Sequence, residues 1–490
     1  MKKYFALFMI LAAAGAASAC SGLFGDVIGE DMMFVNAEHW TKPRSLGDYL
    51  DTAGAGTSTT APGVSVGKGG DALATWLQPV GAHTHVFARE RRGVTWLAPV
   101  DISDIVNPTG LDASTQYSAM NAGGDAVLVW VQVTTGTETH IFGREYRGGS
   151  WTSIGRIDPG DGFSADNPRA AIDDDGNSLI VWGRDSASGH QVYMTEFRGA
   201  SWSAPVQISP GVQDAFMPRP AMDNNGVSII AWYGNSDALN RHVYRSEYRG
   251  GTWTHPAGLS DHIDPSTVYA QDAHDARVAM GDNGEAAIAF IAKSDITYSH
   301  AYRSEYRAGS WADPADMAAD FIDPAGQNAS EPDIAMDPGG NTIIVWKQYD
   351  GVSYDRIYKS EYREGVWADP PDLQHPVDAS LPSGDSKEPR VAMDDRGNAV
   401  IIRSEVYGPS VLTHIFKAVY REGEWRLSPK PERDILDPFS PIYPNQKSEK
   451  PQVAMDGTGR MLVVWQGNVN AGETHVFSAE GLIRLVPVPW

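Results

Sequence analysis

The stretch Ala335-Met336-Asp337-Pro338-Gly339-Gly340-Asn341-Thr342-Ile343-Ile344-Val345-Trp346 decides the fold. Its first residues are short and apolar, its middle is turn chemistry, and its end is an unbroken apolar run. Asp at the head of such a turn caps the backbone locally, and Gly or Asn tolerates a left-handed conformation. The run Thr342 to Trp346 lacks polar alternation, so it reads as a strand buried on both faces. The pattern A-M-D-x-x-G-N-A-x-I-V-W occurs eight times, ending at Trp76, Trp130, Trp182, Trp232, Phe290, Trp346, Arg403 and Trp465. Successive ends lie between 50 (Trp182 to Trp232) and 62 residues (Arg403 to Trp465) apart, a period that belongs to a repeat architecture.

A second half-unit follows each first half, most cleanly as H-V-Y-R-S-E-Y-R-G-G-T-W at His242 to Trp253. It alternates, with Val243, Arg245, Glu247 and Arg249 on one face and His242, Tyr244, Ser246 and Tyr248 on the other. A Gly-bearing turn leads to a last short strand that opens with Trp and is ended by Pro, as in Trp311-Ala312-Asp313-Pro314, which suits an outer edge where a missing N–H is harmless. Each unit is therefore four antiparallel strands, a to d, and a sheet with two buried faces requires a sheet on each side. Radial stacking of such units predicts an all-β, eight-bladed β-propeller.

Closure is predicted by the tryptophans. Those of strand d are Trp40, Trp96, Trp151, Trp202, Trp253, Trp311, Trp367 and Trp425, and the first precedes any strand a, b or c. The last a-b-c set, ending near Glu480, has no strand d of its own. Trp40-Thr41-Lys42-Pro43 is expected to complete the final blade and hide the open sheet edges. Fourteen of the 15 Trp fall at the two register positions, which marks them as packing residues rather than a sugar-stacking array.

The totals fit this reading. Gly (50), Pro (31) and Trp (15) are frequent, as short strands and tight turns require. With 62 acidic against 39 basic residues the formal net charge is -23, which excludes a nucleic-acid partner, whose affinity depends on clustered Lys and Arg. Lys2 and Lys3, an apolar run from Tyr4 to about Ala14 and the small residues Ala17-Ser18-Ala19 read as an export signal over residues 1–19. The single cysteine, Cys20, follows directly.

Three resemblances follow from these motifs. The Ala17-Ser18-Ala19-Cys20 segment resembles the bacterial lipoprotein box, with Ala17 where Leu is usual. It implies acylation of Cys20 and a lipid-anchor linker over 20–32, ahead of the propeller that the repeat predicts over 33–490, and Ser21 after the Cys resembles an outer-membrane address. Ordinary cleavage leaving a secreted or periplasmic chain with a free Cys is the alternative. The repeat resembles that of bacterial surface and secreted proteins built on D-x-x-G-N-A-x-x-V-W followed by I-Y-x-x-x-Y. It is also distantly similar to the Asp-box of sialidases, S-x-D-x-G-x-T-W, although the Asp-to-Gly spacing here is one longer and the Thr-Trp is absent. These likenesses imply a propeller without implying one activity.

Candidate functional residues sit where the repeat varies. The links from strand d to the next strand a are long and unequal, for example Ile263 to Ala276 and Ile435 to Lys450, and variable loops on a rigid scaffold are where binding resides. At the start of strand a stand Arg169, Arg219, Arg277 and Arg390, with Asp333 and Gln452 at the same position in other units. Strand a lines the axis of a propeller, so these guanidinium groups are expected to converge and to suit a carboxylate or sulfate; sialidases resemble this in gripping a carboxylate with arginines on central strands. The competing reading is that Glu331, Glu388, Asp275 and Asp333 neutralise them as structural ion pairs. Tyr269, Asp161, Asp214, Asp272, His274, Asp385 and Tyr443 are further loop candidates.

Repetition argues against three other sets. His85, His140, His242, His300, His414 and His475 open strand c in register, but at mid radius neighbouring blades hold them roughly 10 Å apart, too far to share a metal, so a repeated structural hydrogen bond is expected. The Glu of E-Y-R, with Arg two residues on, is expected to be a structural pair, since one reaction needs one acid and one base. Turn residues such as Asp173, Asp174, Asp175 and Asn177 suit Ca²⁺ as well as turn capping, and capping explains them without a metal. No nucleophile elbow, phosphate loop or serine-triad signature is present. Three roles are expected of the chain: a non-catalytic surface module binding a glycan or protein, with the arginine set as the contact for an anionic ligand and membrane contact only through the lipid; a sialidase-like or lyase-like glycan enzyme; or a structural envelope component.

Overall fold

A computed structural model of the chain describes residues 32–489, except 46, 52–57, 94, 98–104, 108–109, 135, 212–213, 237–239, 266–271, 294–296, 379–383, 409–411, 428–430, 439–446 and 471–472. The expectations for residues 1–19 and for Cys20, Tyr269 and Tyr443 lie outside the described residues.

Eight four-stranded antiparallel sheets form the molecule. Blade 6 is typical, with strands Ala329–Met336, Thr342–Tyr349, Asp355–Arg363 and Val366–Ala368 paired in sequence order. Strand a of blades 1 to 8 is Thr60–Val66, Ala113–Met120, Ala165–Ile172, Ala215–Met222, His274–Met280, Ala329–Met336, Ser386–Met393 and Ser448–Met455. Each strand a touches those of both neighbouring blades, and blade 8 touches blade 1, so the ring is closed. Blade 8 takes its outer strand from the other end of the chain: Met32–Thr41 pairs antiparallel with Glu473–Pro489, Trp40 opposite Gly481.

Burial follows the sequence pattern. Ile343, Ile344, Val345 and Trp346 are all fully buried, their side chains alternating between two inter-blade cores. Losing such a Trp is worth about 3–5 kcal/mol. The Glu of E-Y-R joins blades. Glu305 accepts hydrogen bonds from Arg307 Nε (2.6 Å) in its own strand and from Trp367 Nε1 (2.9 Å) in the next blade's strand d. The Arg307 guanidinium reaches on to the Gly340 carbonyl (3.0 Å) and lies 3.5 Å from the centroid of the Tyr362 ring. The same contacts recur at Glu196, Arg198, Trp253, Gly226 and Tyr248.

The strand-c histidines are buried and each binds a residue that follows strand d. Nδ1 of His140, His242, His414 and His475 lies 2.7–2.8 Å from Asp158, Asp264, Asp437 and Asp51, while His300 meets Asp323 and His85 meets Asn107. The same acids accept the next backbone N–H of strand c, as Asp264 does from Val243 at 2.8 Å. The repeated hydrogen bond expected of these histidines is thus a clamp between strand c and the d-to-a link.

On one face of the ring the a-to-b turns are short and laced together. Asp173, Asp337 and Asp394 cap their own turns through the N–H and side-chain amide of Asn177, Asn341 and Asn398. Between blades, Ala122 N donates to Asp174 Oδ1 (2.8 Å), Asp174 N to Asn224 Oδ1 (3.1 Å) and Asn224 N to Asp282 Oδ1 (3.0 Å). Asn283 N then reaches Pro338 O (3.2 Å) and Asp395 N reaches Gly457 O (3.3 Å). These bonds hold the turns close around the axis.

Candidate anion site at the axial cavity

At the other face every strand a opens with a bulge. In blade 3 Asp166 pairs with Gly183 and Arg169 with Val181, so two residues oppose one, and the same shift occurs in all eight blades. The first bulged residue is left-handed each time: Ala61, Thr115, Asn167, Met217, Asp275, Glu331, Glu388 and Lys450 have φ between 45° and 56°. No glycine occupies these places, and six precede Pro, so the conformation is held by the ladder on either side against a local cost of about 1–2 kcal/mol per residue. Bulges bend a strand and re-aim a side chain. Here the residue two places on is re-aimed in each blade into one axial cavity of about 720 Å³.

That ring of residues is, from blade 1 to blade 8, Gly63, Tyr117, Arg169, Arg219, Arg277, Asp333, Arg390 and Gln452, and all of them line the cavity. The four predicted arginines and Asp333 are therefore brought together, with Glu388 above them. Tyr117 also belongs to the site, its ring centroid 5.0 Å from Arg169 Cζ. Extending the register of Arg169 back into the second repeat would have found it. Polar rim residues Thr60, Ser114, Thr115 and Lys450 and apolar Val64, Val278, Ile334, Val391 and Val453 complete the wall.

The arginines are not consumed by structural ion pairs. Among the described residues no carboxylate oxygen lies within 4.0 Å of their guanidinium nitrogens. Arg169, Arg277 and Arg390 each make one hydrogen bond, to the carbonyl of the preceding residue (Pro168, 2.7 Å; Ala276, 3.2 Å; Pro389, 2.7 Å). Arg219 makes none among the described residues, and its Nε is buried. Each group keeps some surface open to the cavity while protein crowds it from every other side. That crowding, with the neighbouring Arg277 and Arg390, lowers Arg169 to about 10. Burial and the charges of Arg169 and Arg277 push Arg219 well below its ordinary value. Burial also lowers Arg277, against the pull of Asp333 and Asp275.

The acids expected to neutralise them make their own hydrogen bonds and ion pairs with other groups, while Asp333 and Asp275 act on Arg277 only through space. Glu331 accepts from Lys347 Nζ (2.8 Å) and from the Glu388 N–H (2.6 Å) of the next blade. Glu388 in turn accepts from Lys450 N (2.7 Å) and Ser404 Oγ (2.8 Å), so both act as inter-blade links. Asp275 pairs with His274 (3.2 Å), which, with Arg277 and Arg219, holds it below the usual carboxylate range. Asp333 accepts the Val391 N–H (3.0 Å).

Asp161, Asp214, Asp272, His274 and Asp385 stay outside the cavity wall. Asp161 pairs with Arg184, Asp214 accepts the His190 N–H (2.9 Å), Asp272 pairs with Arg241 (2.8 Å) and Asp385 accepts the Asp355 N–H (3.0 Å). Away from the cavity, nitrogens of His242 and His262 and an Asp264 oxygen lie within 4.8 Å of one another. The two rings stack at 3.8 Å and 16°, so their in-plane lone pairs run parallel rather than toward a shared point. Tyr49 on His475 and Phe321 on His300 fill the same stacking place in blades 8 and 5.

No family model matches the chain, and no curated protein matches it. Solved structures do resemble it in part. A microbial sialidase described as Hadza Hz136 superposes over 92% of this chain and 96% of its own with TM-score 0.36 and 11% identity. The polysaccharide lyase Uly1 superposes over 73% and 88% with TM-score 0.42 and 9% identity. The GH93 α-L-arabinofuranosidase of Fusarium graminearum, solved with arabinobiose, covers 64% and 95% with TM-score 0.36 and 12% identity.

Proposed function

We propose that the chain is an exported, lipid-anchored surface module that binds an acidic glycan, its carboxylate or sulfate held by Arg169, Arg219, Arg277 and Arg390. The observation that carries this reading is the arginine set itself: four guanidinium groups facing one cavity without a carboxylate within 4.0 Å among the described residues. Like charges crowded this way repel in a partly dry site, and an anion that enters relieves that repulsion while supplying forked hydrogen-bond acceptors. The chain carries a net charge of -23, so this cationic patch runs against its overall character. A cavity of about 720 Å³ is the size of a small-ligand site rather than a flat protein interface. Thr60, Ser114, Thr115, Gln452 and Asp333 offer the donors and acceptors that sugar hydroxyls require.

The test is a glycan array followed by calorimetry on uronate-bearing, sialylated and sulfated oligosaccharides. Binding restricted to acidic glycans, weakened at least tenfold in Arg219→Met and in raised salt, is the expected result. Unchanged binding in a folded Arg169→Met/Arg219→Met/Arg277→Met variant overturns the site. Capture of a protein instead of a glycan, or turnover of the bound oligosaccharide, overturns the class of module.

A further inference from the structure

The opposite end of the axial channel carries a second, unrelated chemistry. Strand a ends in Met120, Met222, Met280, Met336, Met393 and Met455 in six blades, and in Val66 and Ile172 in the other two. Six of the chain's 14 methionines thus share one register position. Met222, Met280, Met393 and Met455 pack along one side against the inter-blade cores, but packing does not single out methionine for the place. Strands favour β-branched residues over Met, and Val66 and Ile172 show that such residues fit the place. Nor are the six sealed in the core: all are half-buried. Met280, Met336, Met393 and Met455, from four consecutive blades, line a single cavity of about 250 Å³.

Rotational symmetry treats this ring differently from the strand-c histidines. A residue repeated at mid radius stays a blade's width from its copies, whereas one repeated on the innermost strand approaches them around the axis. Hydrogen bonds also join the turns next to the four cavity methionines, Asn283 N to Pro338 O (3.2 Å) between blades 5 and 6 and Asp395 N to Gly457 O (3.3 Å) between blades 7 and 8. The turns also set the charge at the mouth. Asp174, Asp282 and Asp395 line the cavity with Lys68 as the basic counterpart, so the entrance favours cations. Burial raises Asp395, opposed by Lys68 and reinforced by Asp394, Asp282 and Asp456, which reflects the negative potential there.

We propose that this methionine ring binds a soft monovalent metal cation of the copper(I) and silver(I) class through thioether sulfur. Thioethers are neutral, polarisable ligands that select Cu(I)-like ions over hard divalent ones. A monovalent ion needs no charged ligand in its inner shell, and the carboxylates at the mouth raise its local concentration without binding it directly. The site is independent of the arginine cavity, and failure of either reading leaves the other standing.

The probe is silver(I), which is redox-stable, titrated in chloride-free buffer and followed by native mass spectrometry and sulfur-edge X-ray absorption. Cys20→Ser removes the only thiol in the chain and serves as the parent. One bound Ag(I) with thioether-only coordination is expected, and Met280→Leu/Met336→Leu/Met393→Leu/Met455→Leu is expected to weaken it at least 100-fold. Leu conserves volume, so the melting temperature should hold. If the quadruple variant unfolds, the single Leu variants are expected to weaken binding at least tenfold each. A parent that binds no silver, or Leu variants that bind it as tightly as the parent, overturns the proposal.

Discussion

Trp40 stands opposite Gly481 in the ladder that joins the first strand of the chain to the last, and a Cβ on Gly481 would lie only 2.9 Å from Trp40 Cη2. The indole covers the blade 8 core formed by Trp465, Phe477 and Ile483. Without Met32–Thr41 the strand Glu473–Pro489 would be an open edge, which invites pairing with another chain. A chain that begins at Lys42 should therefore associate more strongly than the full chain and melt at least 10 °C lower. Sedimentation velocity and a thermal scan check this, and a truncated chain with the parent's sedimentation coefficient and melting temperature would refute it.

The blade staples predict an asymmetry between two tryptophans at the same register. Trp367 donates to Glu305 at 2.9 Å, whereas Trp202 Nε1 is buried with no acceptor among the described residues. Trp367→Phe should cost about 1 kcal/mol more than Trp202→Phe, because only the first change leaves a bonded acceptor unfilled. Glu305→Ala should cost about 2 kcal/mol, since it takes the acceptor from both Trp367 Nε1 and Arg307 Nε, although Arg307 keeps its bonds to Gly340 and Thr342. Urea denaturation of the three variants gives the comparison.

Blade 7 replaces a structural pair with an ionic one. In blades 1, 2 and 6 the strand-b Trp donates to a Gln two residues on, as Trp346 does to Gln348 at 3.2 Å. In blade 7 these places hold Arg403 and Glu405, both buried, 2.8 Å apart. Desolvation pushes Glu405 up to about 7 despite Arg403. Between the unfolded value of about 4.3 and the folded value the native state holds a proton that the unfolded chain has lost. That stability is present below the unfolded value and disappears as pH rises through about 7. Arg403→Trp/Glu405→Gln should stabilise the protein by about 1–3 kcal/mol, by more at pH 8 than at pH 5, whereas Arg403→Ala alone should cost about 3–5 kcal/mol. Melting curves across pH 5 to 8 decide it, and an advantage that shrinks with rising pH would contradict the assignment.

The arginine cavity predicts that binding and stability oppose one another. Arg219 makes no hydrogen bond among the described residues and faces Arg169, Arg277 and Arg390. Arg219→Met should therefore raise the stability of the ligand-free protein by about 1 kcal/mol, more at low salt than at high, while removing affinity for acidic glycans. Thermal scans at two ionic strengths show the first effect, and a destabilised variant would indicate a structural role for Arg219.

By itself the chain's repeat determined the eight blades, their four strands and the sharing of one blade by both ends. Burial on both faces, turn chemistry and edge protection are local demands, written into every copy from Trp76 to Trp465. The convergence of Arg169, Arg219, Arg277 and Arg390 was legible for the same reason, because register alone places them at the start of strand a. Tertiary structure decided what surrounds them. The left-handed bulge residues, the use of Glu331 and Glu388 as inter-blade links and the entry of Tyr117 into the cavity depend on how neighbouring blades meet. Those contacts join residues about 50 to 60 positions apart, as between Glu331 and Glu388, and no local pattern records which of two acids an N–H will choose.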